Sequence, residues 1–200
     1  MRTSHGIRII SIAFLITLFM VLAAKPAAAQ ATGSFGTPAY YLVTVKNCQI
    51  SADAGTTWTT LWTTGIPMDI ASVAPLTKVG DFLANQAIET GTYNRFRCTI
   101  DQTMVIRGTV SHGGDTYYTK NALNDSTTAP AVDSTVVIPT GDQTFTQTIN
   151  LAVTGGGVAS NIQINFNLTN AIQLYLVAPG VYKIYPEAPS ITFTCNGGPC

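Results

Sequence analysis

The sequence predicts an all-β protein built from antiparallel strands, as a sandwich or a barrel. Eleven β-branched and aromatic runs lie at the short spacing typical of these folds. Turn signals rich in Gly, Pro and Asp separate them, and the single helix-like run, residues 81–89, is too short to change the class. The runs are 40–50, 56–63, 91–100, 104–111, 115–120, 135–139, 144–151, 161–169, 172–178, 181–185 and 191–195.

Residues 1–29 are predicted to be a secretory signal peptide. Basic residues precede an apolar run over residues 9–24, and a stretch of small residues ends at Ala29. The alternative, a membrane anchor, is disfavoured because the run is close to the minimum of roughly 17 residues that can span a bilayer. We expect the product to have no membrane span and to be secreted, periplasmic or attached to the cell surface.

The part beyond residue 29 is predicted to be one domain with short ends. Residues 30–39 are small and rich in Gly and Pro, which predicts a flexible N-terminal extension. Residues 40–196 hold the predicted β-sandwich domain, and residues 197–200 end a C-terminal disulfide loop. The polar stretch 121–133 is predicted to be a long exposed loop.

All four cysteines lie beyond the signal peptide, and an even number in an exported protein favours disulfides. Three pairings are formally possible. We favour Cys48 with Cys98, which lie in strand-like runs, and Cys195 with Cys200, which flank a short Gly-rich loop. A zinc site is disfavoured, because the one histidine beyond residue 29, His112, is far in sequence from the cysteines and lies at a turn.

Charge is sparse, with 10 basic and 10 acidic residues among 200. Removal of the signal peptide leaves seven basic and ten acidic residues, without a basic cluster. Nucleic-acid binding is therefore not expected, because it needs concentrated positive charge. The sequence carries neither a nucleophile elbow nor a zinc-protease motif, so we predict no enzymatic activity and no cofactor.

Threonine is over-represented, at 28 of the 171 residues after residue 29. Thr144, Thr146 and Thr148 alternate with Phe145, which predicts a strand with one hydroxyl-bearing face. Such a face suits packing against other molecules, although simple solvation explains it equally well.

A hairpin signature begins at Ser51, continues through Asp53 and Gly55, and ends at Trp58. It resembles the Asp-box of sialidases and other secreted β proteins, in which the box is structural. In such a turn the aspartate bonds backbone N–H groups, the glycine takes a left-handed conformation and the tryptophan packs over the hairpin. Because the pattern occurs once, it predicts a turn and not a propeller.

Three aromatic residues are candidate contacts for a glycan: Trp62, Tyr117 and Tyr118. Exposed aromatic rings can stack on sugar rings, whereas a large aromatic residue in a small β domain is more often part of the core.

Further short pieces resemble a family of uncharacterised exported bacterial domains with Gly-x-Tyr strands. They include Gly91-Thr92-Tyr93 followed by Arg97, and Gly180-Val181-Tyr182 followed by Pro186. The resemblance implies an immunoglobulin-like or transthyretin-like antiparallel β-sandwich. It supplies no catalytic residues.

These observations predict a non-catalytic exported structural or adhesive protein of the cell surface. Its expected partner is itself or another surface protein, bound by strand addition from residues 30–39 or from Thr-rich strand edges into a filament or surface layer. The alternative is a monomeric carbohydrate-binding module that uses its exposed aromatic residues on a polysaccharide.

Overall fold

A computed structural model of the protein describes residues 29–72, 88–121, 124–138, 140–153, 162–195 and 198–199. Within these ranges the regular elements are all strands, and every pairing between them is antiparallel. They are β1 (Gln30–Gly36), β2 (Pro38–Ser51), β3 (Thr59–Trp62), β4 (Ile66–Asp69), β5 (Gly91–Ile100), β6 (Thr103–His112), β7 (Asp115–Tyr118), β8 (Ser134–Val137), β9 (Gln143–Val153), β10 (Ile162–Asn167), β11 (Ile172–Ala178), β12 (Val181–Pro186), β13 (Ser190–Cys195) and β14 (Gly198–Pro199).

The 14-residue strand β2 is the centre of an eight-stranded sheet. At Leu42 it pairs with β4 and β6, at Val45 with β4 and β5, and at Cys48 with β3 and β5. A strand has two edges, so β5 and β6 follow one another along one edge of β2, and β3 and β4 along the other. The strands β9, β7 and β8 extend this sheet from β5 and β6.

The side chains of β2 explain its central place. Tyr41, Val43 and Val45 alternate with less buried residues and point into the core. The register shifts between Val45 and Asn47, which is a β-bulge, and the buried positions then resume at Cys48 and Ile50. The bulge therefore keeps both halves of a long strand facing one core.

A three-stranded sheet, in the order β1-β11-β12, packs against the large sheet through β6. A Cβ atom added to Gly108 of β6 would lie 2.7 Å from Cδ1 of Ile172 in β11. Leu174 and Ile184 of the small sheet are fully buried in the same core. The close approach of the two sheets therefore requires the absence of a side chain at residue 108. A third sheet has the order β10-β13-β14, and Phe166 of β10 reaches the same cluster.

The predicted fold class is confirmed: the described chain is all-β with antiparallel sheets, consistent with a β-sandwich. The helix-like run 81–89 falls largely outside the described residues. Strand β4 was not predicted, because Pro67 and neighbouring polar residues hide its pattern; main-chain pairing with β2 forms it. The alternation predicted for β9 is present, with Thr144, Thr146 and Thr148 exposed.

The disulfide between Cys48 and Cys98 is confirmed, and the two residues lie directly opposite one another in β2 and β5. Both cysteines are fully buried. The pairing predicted for Cys195 with Cys200 lies outside the described residues. A disulfide is compatible with an oxidising compartment outside the cytoplasm.

The polar stretch 121–133, predicted as an exposed loop, is exposed at most of its described residues, and Asp125 is the exception. Asp125 is 5% exposed, and its backbone N–H donates to the carbonyl oxygen of Tyr182 at 2.8 Å. The sequence did not identify Asp125 as buried because composition reports the average polarity of a segment. It does not report a polar side chain whose partner lies far away in sequence.

Replacing both Cys48 and Cys98 by alanine will lower the free energy of unfolding. The closed loop has a sequence separation of 50 residues, for which chain entropy gives a loss of roughly 4 kcal/mol. Urea denaturation followed by circular dichroism measures this loss. A loss below about 1 kcal/mol would mean that the pairing of β2 with β5 restrains the chain by itself.

Candidate functional site

Residues 30–39 do not form a free extension, which corrects the prediction. Gln30–Gly36 form β1, an edge strand that pairs with β11 from Gln30 opposite Leu176 to Gly36 opposite Ile172. The remaining residues enter β2 at Pro38. Strand β1 could not be recognised in the sequence, because its small side chains do not alternate between apolar and polar. It forms nevertheless, because main-chain hydrogen bonds to an open strand edge do not depend on side chains.

Strand β1 is held mainly through its backbone. Every one of its side chains is exposed or only half-buried, and Phe35 is 46% exposed. Two side-chain bonds add to the main-chain pairing. The Thr32 hydroxyl donates to the carbonyl oxygen of Leu174 at 2.7 Å, and the Ser34 Oγ lies 2.9 Å from Nδ1 of His112. The attachment of β1 is therefore polar and buries little apolar surface.

The end of β1 is wedged between the two sheets. A Cβ atom added to Gly36 would collide with the carbonyl oxygen of Thr109 in β6. The single residue Thr37 then separates β1 from β2. The chain thus passes from the edge of the small sheet to the centre of the large sheet within one residue.

An aromatic cluster lies beside β1, formed by His112, Tyr117 and Tyr182. The rings of Tyr117 and Tyr182 are 4.8 Å apart, and those of His112 and Tyr182 are 5.7 Å apart. His112 is therefore more than the turn residue that the sequence predicts, because it contacts both β1 and β12.

The three candidate glycan residues lie on two strands whose backbones pair with the large sheet at well separated places. Tyr117 and Tyr118 are half-buried on β7, and Tyr117 packs against the core. Trp62 belongs to β3 and pairs with Cys48, and its side chain lies outside the described residues. Tyr118 pairs with Thr109 of β6, and the preceding residue of β6, Gly108, pairs with Pro38 of β2. Pro38 and Cys48 are ten positions apart in β2, or roughly 30 Å at the usual rise of an extended strand.

The Asp-box-like residues form the turn that the sequence predicts. The Asp53 carboxylate accepts hydrogen bonds from the Thr57 hydroxyl at 2.6 Å, the Thr57 N–H at 2.8 Å and the Ser51 hydroxyl at 2.7 Å. Gly55 has a φ of 93°, in the left-handed region. These donors, the Thr57 hydroxyl first, hold the pKa of Asp53 well below its usual range.

Two contacts join this turn to the large sheet. Asn94 of β5 bridges it, accepting from the Ala54 N–H and donating to the carbonyl oxygen of Ala52, both at 3.0 Å. The guanidinium carbon of Arg97 lies 4.0 Å from the centroid of the Trp58 ring. Trp58 thus packs at the hairpin as predicted. The contacts of Ser51, Asp53, Gly55 and Trp58 all serve to hold the turn in place.

A buried ion pair joins Lys183 of β12 to Asp125, which the sequence analysis missed. Nζ of Lys183 lies 3.2 Å from Oδ1 of Asp125, with 9% and 0% of the two side chains exposed. The one sequence signal is a lysine within the otherwise apolar strand 181–186. That signal does not identify the partner, which is 58 residues away.

Among the residues that the structure describes, no group of three or more His, Cys, Asp or Glu side chains is placed to hold a metal ion. Nor does that part of the chain contain a helix long and apolar enough to cross a membrane. In comparisons with known proteins, no family model, curated protein or solved structure matches this chain. The resemblance to exported domains with Gly-x-Tyr strands therefore stays a prediction.

Replacing Gly36 by valine will displace β1 from β11, because the new side chain must overlap the Thr109 carbonyl. We expect faster amide hydrogen exchange across residues 30–36, measured by mass spectrometry, with the core strands unchanged. Ala31→Val is the matched control, because Ala31 is exposed in the same strand. Equal protection in the two variants would contradict this packing of β1.

The Asp53 carboxyl will titrate below the value of about 3.9 that is usual for aspartate. Its pKa is lowered in the folded state, so its stabilising effect is present above that value and is lost as pH falls through the folded pKa. Thr57→Val removes one donor and should move the pKa upward. Side-chain carboxyl NMR of both proteins measures this shift, and an unshifted Asp53 in the wild type would disprove the assignment.

Proposed function

We propose that the protein is a non-catalytic exported structural or adhesive subunit of the cell surface, and that copies assemble by exchanging β1. The observation that carries this proposal is the edge position of β1 on β11, held mainly by its backbone. In an exchanged assembly, β1 of one copy occupies the same place on β11 of the next copy.

The fit of β1 to a second copy follows from its fit to its own chain. The acceptor edge of β11 already pairs with this sequence, from Gln30 opposite Leu176 to Gly36 opposite Ile172. An identical chain offers the same edge, the same carbonyl oxygen of Leu174 and the same His112. Exchange therefore makes no new kind of contact, which is why swapping is a low-cost route to assemblies.

The connection to β2 favours exchange. Only Thr37 separates β1 from β2, and short connections between elements promote swapping. If the signal peptide is removed at the predicted site, β1 starts at the new N-terminus and can move without displacing another element. Exchange between two copies closes a dimer, whereas transfer in one direction from copy to copy builds a filament.

The energetics of β1 also favour transfer. Its side chains bury little apolar surface, so leaving the parent sheet exposes little core. The main-chain hydrogen bonds lost on leaving are regained on the next copy. Sparse charge on the exported chain, with seven basic and ten acidic residues, limits repulsion between copies.

A pair of cysteines placed across β1 and β11 tests this proposal. Gln30 lies opposite Leu176, so Gln30→Cys with Leu176→Cys should form a disulfide wherever β1 is docked. Transfer in one direction predicts a ladder of covalent multimers on a non-reducing denaturing gel, exchange between two copies predicts a covalent dimer, and a closed monomer gives a single monomer band. The two single variants are controls that should give no ladder.

Light scattering on the mature wild-type protein, beginning at Gln30, completes the test. Oligomers together with the ladder or the covalent dimer support exchange, and a monomer with the cross-link inside one chain overturns it. Oligomers that form with only internal cross-links would also overturn it, because the copies would then associate by other surfaces.

A second candidate is a monomeric carbohydrate-binding module. Half-buried Tyr117 and Tyr118 on β7 favour it, since each retains some surface for stacking on a sugar ring. Support is weaker because these residues are separated from Trp62 along β2. A monomer that retains polysaccharide on an affinity column would favour this candidate.

A further inference from the structure

The buried pair of Lys183 and Asp125 places an amine next to a carboxyl group away from water. Nζ of Lys183 and Oδ1 of Asp125 are 3.2 Å apart. Both residues are buried, and their side chains come from β12 and from the segment that precedes β8. The pair therefore connects a strand of the small sheet to the segment that leads into β8 of the large sheet.

The carboxyl group of Asp125 is held by backbone donors on both oxygens. The Lys120 N–H donates to Oδ1 and the Ile184 N–H donates to Oδ2, each at 2.6 Å. Such donors polarise a carboxyl group and stabilise negative charge that develops on its oxygens during attack at carbon. An enzyme's oxyanion hole uses backbone donors in the same way on a single oxygen, whereas Asp125 has one backbone donor on each oxygen.

The Lys183 amine, like the Asp125 carboxyl group, is held by several hydrogen bonds. Nζ of Lys183 also donates to the carbonyl oxygen of Lys120 at 2.8 Å and to the Ser134 hydroxyl at 3.0 Å. Fixed geometry raises the effective concentration of one reacting group near another by several orders of magnitude. Burial has a second effect, since it raises the pKa of Asp125 and so makes protonation of this carboxylate easier than protonation of an exposed one.

We propose that Lys183 and Asp125 condense into an intramolecular amide bond. A proton passes from the Lys183 ammonium to the Asp125 carboxylate, which leaves a neutral amine and a neutral acid. The amine lone pair then attacks Cγ of Asp125, the new C–N bond forms, and a C–O bond breaks. The departing oxygen leaves as water with the acid proton and one amine proton, so no oxidant or further reactant is needed.

Burial of the site would protect the amide bond from hydrolysis once it has formed. Hydrolysis needs water at Cγ of Asp125, and the Asp125 side chain is fully buried. The bond would tie β12, which pairs with β11, to the segment that leads into β8 of the large sheet. This inference is independent of the proposed exchange of β1 and does not require assembly.

Intact mass spectrometry of the exported wild-type protein tests the proposal without a variant. After reduction of disulfides, the condensed chain is lighter than its sequence by one water molecule. Proteolysis and tandem mass spectrometry must then find a branched peptide that joins Lys183 to Asp125. Cyclisation of an N-terminal Gln30 removes ammonia, and a succinimide removes water without a branch, so the branched peptide identifies the bond.

The chain supplies its own control in Lys46 and Asp142. Their Nζ–Oδ2 distance is shorter, at 2.9 Å, but 44% and 36% of their side chains are exposed. We expect this pair to stay unlinked, because water competes and no buried cage holds it. Lys183→Met should restore the full mass of its own sequence.

A second variant gives a chemical signature. In Asp125→Asn the same attack releases ammonia in place of water, so its condensed product has the same mass as the condensed wild type. A folded wild-type protein of full mass, with Lys183 in an unbranched peptide after prolonged incubation, overturns the proposal. A branch from Lys183 to any other residue also overturns it.

Discussion

The pairing of β2 along both of its edges is the constraint on which the rest of the fold depends. Strands β3, β4, β5 and β6 all pair with β2 and take their register from it. A disulfide also joins β2 to β5 at two residues that lie directly opposite one another. The bulge of β2 after Val45 keeps Cys48 and Ile50 in the core. A shift of one residue in β2 would turn every later side chain to the wrong face, so burial of one face strongly specifies the register of the large sheet.

Strand β1 and strand β2 differ in how they are held, although they are almost continuous in the chain. Strand β2 is anchored by buried Tyr41, Val43 and Val45, whereas β1 has no buried side chain. Thr37 separates the strand held by its backbone from the strand held by buried side chains. A strand held mainly by its backbone is transferable, and a strand held by core packing is not, because the second loses far more apolar burial on leaving.

The ion pair of Lys183 and Asp125 secures the opposite side of the small sheet. Burial of two charges in a small domain is expensive, and its cost is offset here by backbone groups and the Ser134 hydroxyl. With this site on β12 and β1 on the other edge, β11 lies between one firmly held neighbour and one lightly held neighbour. The proposed amide would fix β12 covalently and would leave β1 held by hydrogen bonds.

The sequence by itself determined the fold class, most strands, the Asp-box-like turn and the pairing of Cys48 with Cys98. Each of these is encoded by local features: alternation of apolar residues, turn-forming residues, and cysteines within strands. Only the tertiary structure decided the places of β1 and Asp125. Main-chain pairing at an open edge leaves no trace in side-chain pattern, and a buried charge is recognised only when its distant partner is known. Long-range contacts, unlike local ones, depend on how the sheets pack together.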